Sequence, residues 1–226
     1  MIKMIVWDLD DTLLDTSSDL NPRAVENIFQ SWKKLKPELS REIFYQRRQE
    51  LLPYHSNRKL FQLMSGELQM PDPAAASELA IQYFYYPQID HDIFLLPGAR
   101  ENLEYAQKKN YIQLMLTAGD SRVQNTKVDK LNIRHFFQEI HIADKNVNNE
   151  KNVFFSRFAE AHRLHPSEII SIGNRRQSEI RHAKIAGCKT CLFNYGEHIH
   201  DPIEVPADIP DFQVEEHSVL MVTCQL

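Results

Sequence analysis

The chain has 226 residues, 42% of them hydrophobic and 25% charged, and a formal net charge of −5. This is the composition of a globular protein large enough to bury a core as one domain, or as one domain carrying an insert, and it sets aside the disordered classes. The acidic balance, with a sequence pI ≈ 6.1, argues against a chain built to neutralise a nucleic-acid backbone, and no apolar run of membrane-spanning length or signal-type N-terminus is present, so a cytoplasmic protein without membrane or nucleic-acid partners is expected.

In chain order, residues 2–7 (IKMIVW) form a near-continuous apolar run, the pattern of a strand buried on both faces of a parallel sheet. Four carboxylates follow at once, Asp8, Asp10, Asp11 and Asp15. Between residues 17 and 92 no strand is convincing, whereas PRAVENIFQSWKKL, LSREIFYQRRQELL, NRKLFQLMSGEL and PAAASELAIQYFYY each carry helical spacing, punctuated by Pro37, Pro53, Pro71 and Pro73. The chain returns to a sheet pattern at FLLPGARENL. Apolar runs at 111–117, 139–143, 168–173 and 189–194 then alternate with helical spacing at 99–109, 151–164 and 178–186, the last ended by Gly187. Alternation of this kind predicts βα units, and hence an α/β fold: a three-layer αβα, Rossmann-like core with a parallel sheet over residues 1–16 and 93–226, and an inserted all-α module over 17–92. The tail from about residue 198 reads as loop-rich with one strand-like piece, DFQVEEH. Cys188 and Cys191 form a lone C-x-x-C with no second ligand pair, and together with Cys224 read as buried thiols in a reducing compartment. The EHIH at 197–200 reads as a solvated loop.

The opening carboxylates sit past the end of a buried strand, where ligands gather in open parallel sheets. A D-x-D spacing on extended backbone points Asp8 and Asp10 the same way, and two adjacent carboxylates call for a cation. Oxygen-rich surroundings suit a hard ion, with magnesium held by carboxylates and substrate phosphate oxygens as the candidate; a solvated acidic loop is the alternative. Three further pieces fall at or near strand ends: Thr117 in LMLTAGD, where a hydroxyl and the following backbone N–H of Ala118 suit a phosphoryl oxygen; Lys151 ahead of an amphipathic helix; and Asn174 with Glu179 in GNRRQSE. Singly, Thr117 is equally a helix cap and Lys151 a surface lysine.

The ordered set resembles the haloacid dehalogenase (HAD) superfamily over nearly the whole chain. Its first motif, hhhDxDxT, is matched by Asp8, Asp10 and Thr12; its second by Thr117; its third by Lys151, in preference to Lys145; and the insert at 17–92 looks like the family's helical cap. The fourth motif departs from the common G-D-x-x-x-x-D, since Asn174 and Glu179 stand where two acids are usual, which removes one negative charge. Asp11 occupies a position often taken by Gly, and Asp15 reads as a turn residue.

The resemblance implies a magnesium-dependent phosphohydrolase acting on a small phosphorylated metabolite. Asp8 would be the nucleophile that forms an aspartyl-phosphate. Asp10 would act as acid and base, a role suited to a carboxyl whose pKa is raised by its neighbours. Thr117, Ala118 and Lys151 would bind the phosphoryl oxygens, and Asp8, the Asp10 backbone carbonyl, Asn174 and Glu179 would hold the metal. Two other functions fit the same residues: a weak or inactive relative that binds a phosphate compound or a protein partner, suggested by Asn174 and Glu179, and a phosphomutase. In the cap, QYFYYPQ at 82–88 and YQRRQE at 45–50 offer aromatic and cationic groups, although Phe44, Phe61 and Phe84 have the spacing of packing residues.

Overall fold

The computed structural model describes residues 1–143 and 151–226; Lys145 lies outside the described residues. Six strands, β1 (Met4–Trp7), β2 (Ile112–Ala118), β3 (Glu139–Ala143), β4 (Ile169–Gly173), β5 (Lys189–Phe193) and β6 (Phe212–Val214), form one sheet. Its order is β3-β2-β1-β4-β5-β6, and every neighbouring pair is parallel. β1 and β4 are buried along their whole length, which is why MIVW and IISIG read as unbroken apolar runs. Trp7 stands opposite Met115 of β2 and Ile172 of β4, so β1 and β4 finish nearly level at their carboxyl ends while β2 runs on to Ala118. The chain order reverses across β1, and this switch point is where an open parallel sheet leaves a crevice for ligands.

Two compact units are present, residues 1–17 with 89–226, and residues 18–88. The second is all helical: α1 (Asn21–Leu35), α2 (Arg41–Leu51), α3 (Asn57–Glu67) and α4 (Pro73–Tyr85). Ser40, Ser56 and Asp72 cap the last three by accepting from the backbone N–H of Ile43, Lys59 and Ala75. α1 buries Ala24, Val25, Ile28, Phe29 and Trp32, one stripe at helical spacing. The Trp32 indole N–H donates to the Ala76 carbonyl of α4 at 3.0 Å, and its ring meets Phe44 edge-on at 5.6 Å. Phe44 and Phe61 are fully buried within this core, so their spacing reflects packing.

In the sheet unit, α5 (Ala99–Lys108), α6 (Ser121–Lys130), α7 (Lys151–Ala161), α8 (Arg181–Ile185) and α9 (His217–Thr223) accompany the strands. Met4, Val6, Leu114 and Leu116 pack against Phe155 and Phe158 of α7 on one face. On the other, Trp7 donates to the Gln113 side chain at 3.1 Å, which in turn donates to the Leu103 carbonyl of α5 at 3.0 Å. The result is the three-layer αβα arrangement expected. The tail departs from its loop-rich reading: the strand is confined to Phe212–Val214, and the chain turns into α9 at His217. His217 is buried, and its ring packs on Phe193 at 4.6 Å. The helical stretch at 178–186 begins earlier, with a wide turn over Arg176–Ile180, before α8. All three cysteines are free and buried. Among the described residues no helix is long and apolar enough to cross a membrane.

Candidate active site

β1 stops at Trp7, so the acidic stretch lies in the loop beyond it. The Asp8 backbone N–H still donates to Ile172 of β4 at 2.9 Å, which holds Asp8 level with the end of the sheet. The chain then folds over itself: Leu13 and Leu14 donate to the Leu9 carbonyl at 2.9 and 3.0 Å, and Asp11 donates to Leu14 at 2.7 Å. Asp11 sits at φ 53, a left-handed conformation in which Asp is tolerated and Gly is easiest. It is more than tolerated here. Its carboxylate accepts from the Ser17 N–H at 2.7 Å and the Ser17 hydroxyl at 2.6 Å, and Gly196 lies so close that a Cβ there would overlap it. Burial above all pushes its pKa up to about 6.

Around Asp8 the structure gathers two of the expected residues, Lys151 and Glu179. Lys151, at the start of α7, places its ammonium 3.3 Å from Asp8 Oδ1, 2.5 Å from Glu179 Oε1 and 3.3 Å from the Leu116 carbonyl. All three side chains are buried. Glu179 also accepts from the Ser178 hydroxyl at 2.8 Å and the Arg175 N–H at 3.1 Å. Its approach requires Gly173, where a Cβ would overlap the Glu179 side chain. Burial would raise the Glu179 pKa, but Lys151 and Arg175 outweigh it and the net direction is down. Asp8 is pushed up, first by burial and then by the charges of Glu179 and Asp10, against the pull of Lys151. The lysine leans toward Glu179, so Asp8 keeps the weaker share of its charge. Lys151 itself is held protonated by the two carboxylates despite its burial.

Asp10 has a different set of partners. Its Oδ1 accepts from the Lys127 ammonium at 2.6 Å and the Thr16 hydroxyl at 2.5 Å, and its Oδ2 from the Gln124 amide at 2.9 Å. Burial opposes ionisation, yet Lys127, Thr16 and Gln124 together bring its pKa below the ordinary value. The expectation of a raised pKa at Asp10 is therefore reversed: the raised carboxyls of this loop are Asp8 and Asp11. Thr117, at the end of β2, is buried and accepts from the same Gln124 amide at 2.7 Å, which leaves its own O–H to donate. Ala118 follows it at the strand end and its carbonyl also faces Gln124, at 3.3 Å. Asn174, one residue past β4, is buried with its Nδ2 directed at the Tyr195 carbonyl, 3.4 Å away.

Gln124, Lys127 and Thr16 were not among the residues singled out from the sequence. The signal available was faint: two polar residues three apart on α6, capped by Asp120 through the Val123 N–H at 3.0 Å, both buried beside Val123 and Val128.

The donors present fit a hard divalent cation. Asp8 and Glu179 bring two buried carboxylates and Asp10 a partly exposed one against the two ammonium groups of Lys151 and Lys127, and the Asn174 Nδ2 is directed at the Tyr195 carbonyl. Among the described residues no three acidic, imidazole or thiol side chains converge on one point as a ready metal cage, so such an ion would draw on amide, backbone and substrate oxygens as well.

Comparison with known proteins agrees with this geometry. A family model described as haloacid dehalogenase-like hydrolase matches residues 2–187. A glyceraldehyde 3-phosphate phosphatase of Pyrococcus furiosus is 30% identical over 90% of this chain and 85% of its own. In fold, a protein from Haemophilus somnus described as a predicted phosphoglycolate phosphatase superposes with a TM-score of 0.74 at 19% identity, covering 99% of this chain and 98% of its own. The Bacillus subtilis HAD-hydrolase YfnB, solved bound to magnesium, superposes with a TM-score of 0.67 at 17% identity, covering 100% of this chain and 99% of its own. The chain belongs to the haloacid dehalogenase-like hydrolases, and within them it is an enzyme of the phosphatase kind.

Proposed function

We propose that this phosphatase hydrolyses phosphomonoesters of small metabolites in two steps through a phosphoryl group carried on Asp8. The observation that carries the proposal is the meeting of Asp8, from the first strand, with Lys151, 143 residues later, at 3.3 Å inside a buried site, beside the Thr117 hydroxyl at the neighbouring strand end. Asp10, ionised at rest, takes up a proton from the phosphate monoanion of the entering ester; an Asp8 oxygen then attacks phosphorus as the ester bond breaks, and the departing alkoxide takes that proton from Asp10. Water then adds to phosphorus as the Asp8–phosphorus bond breaks, giving up a proton to Asp10 and releasing orthophosphate. Thr117 donates its O–H to a phosphoryl oxygen, joined by the Ala118 N–H, and Lys151 neutralises charge on the nucleophile and the transferring group. Magnesium, held by Asp8, the Asp10 carbonyl and Asn174, with Glu179 directly or through water, supplies charge neutralisation at the phosphoryl group when bound. The helical unit of residues 18–88 serves as the cap that selects the leaving group.

Purified protein assayed with and without magnesium on a panel containing glyceraldehyde 3-phosphate and phosphoglycolate tests this, alongside Asp8→Asn. Metal-dependent release of orthophosphate that is lost in Asp8→Asn is the expected result. No turnover across the panel by the unaltered protein points instead to a phosphate-binding relative, and isomerised sugar phosphate without orthophosphate points to a mutase.

A further inference from the structure

We propose that Lys127 and Gln124 of α6 are positioning residues for Asp10, fixing its carboxylate beside Thr117 so that both proton transfers depend on them. This rests on the two-step scheme above and adds to it a pair that lies outside its four motifs.

Three observations support the pair. Lys127 is only 7% exposed, and a buried ammonium is costly unless a charge compensates it; its carboxylate partner is Asp10, at 2.6 Å. Lys130, on the same helix, reaches the His91 carbonyl at an exposed position instead, so inward placement of Lys127 is particular to that residue. Gln124, one helical turn before Lys127 and on the same face, bridges two functional groups with a single amide nitrogen, 2.9 Å from Asp10 Oδ2 and 2.7 Å from Thr117 Oγ1. Its two hydrogens are shared among these two and, at the longer 3.3 Å, the Ala118 carbonyl; the Thr117 oxygen thus accepts, and the Thr117 hydroxyl hydrogen is left to face a phosphoryl oxygen. The side chain lies against Gly119, at φ 148, where a Cβ would stand 3.4 Å from Gln124 Cγ, within ordinary contact.

With Lys127 replaced by Met, Oδ1 keeps only Thr16 and the carboxylate, left with Thr16 and Gln124 alone, is less firmly aimed at the leaving oxygen. A poor leaving group needs the proton from Asp10 as the ester bond breaks, whereas an aryl oxide leaves without it. The loss on propyl phosphate is therefore larger than on p-nitrophenyl phosphate, by about tenfold or more. With the aryl ester the first step stays fast and the second slows, so a burst of nitrophenolate, near one per enzyme, precedes the steady rate.

The experiment compares kcat for both esters, and the pre-steady-state burst, in the unaltered enzyme, Lys127→Met, Lys127→Arg and Gln124→Ala. The proposal expects selective loss on the alkyl ester and an aryl burst in Lys127→Met and Gln124→Ala, with partial recovery in Lys127→Arg. Equal losses on both esters, or no loss on either, overturn it and leave the pair as packing. If Lys127→Met does not fold, the same ratio in Gln124→Ala and Lys127→Arg decides by the same criteria. Failure of the two-step scheme is distinct: there the unaltered enzyme is inactive, or Asp8→Asn equals it, and the positioning proposal falls with it.

Discussion

Asp8 and Asp10 are separated by one residue in the chain, and their surroundings treat charge in opposite ways. Asp8 shares one lysine with Glu179 at the longer of two distances, 3.3 Å against 2.5 Å, and burial raises its pKa. Asp10 has a lysine at 2.6 Å together with a hydroxyl and an amide, and is held ionised. Carboxyl groups of the same kind thus receive different electrostatics from their neighbours, and in the two-step scheme proposed above these suit separate tasks, nucleophile for Asp8 and acid/base group for Asp10.

The sharpest break of this contrast is Asp8→Asn, which removes the attacking oxygen. Turnover of an aryl phosphate is expected to drop by about 10⁴-fold or more, because Asn offers no comparable nucleophile. Next comes Lys151→Met, which leaves Asp8 and Glu179 buried without a cation. Denaturant unfolding should show a loss of about 3–5 kcal/mol, partly restored when Glu179→Gln is added, since the second change removes one of the stranded charges.

Asp10→Asn keeps the shape of the second carboxyl and removes its proton transfer. The expected loss in kcat is about 10²-fold or more on an alkyl phosphate and smaller on an aryl one; equal losses would remove the distinction between the two acids.

The smallest effect is a pH slope from the far side of the same loop. His217 Nε2 lies 2.7 Å from the Thr12 carbonyl, with Asn102 Nδ2 3.0 Å from its Nδ1, a pattern that fits the neutral ring donating from Nε2. Burial lowers its pKa from 6.5. The folded state therefore binds a proton less readily than the unfolded chain, so this contribution to stability is complete above about pH 6.5 and is lost as pH falls below it. Melting curves of the unaltered protein should decline more steeply on acidification than those of His217→Asn; parallel curves would show that the ring is not held neutral.

Much of the fold was legible because burial on two faces forces unbroken apolar runs. MIVW, IISIG and the β2 run declare themselves as central strands, and Val25, Ile28, Phe29 and Trp32 mark α1 by a one-sided stripe. The piece at α9 was not, since HSVLMVT is too short for its period to separate helix from strand, and α6 carries so many polar residues that its inward side is hidden. Buried Gln124 and Lys127 look, in sequence, like any solvated helix surface. Asp11 hid in the opposite way: its φ of 53 explains the preference for Gly at that place, whereas its two bonds to Ser17 could be found only in three dimensions.

By itself, the order of residues determined the layers and the helical module, and it brought Asp8, Asp10, Thr117, Lys151 and Asn174 forward as one candidate set, because chain alternation and strand-end placement depend on local spacing and burial. The tertiary structure alone decided how charge is shared within that set. Lys127 meets Asp10 across 117 residues and Lys151 reaches Glu179 across 28, and electrostatic pairing depends on distance and desolvation at the packed site, quantities that no local pattern encodes.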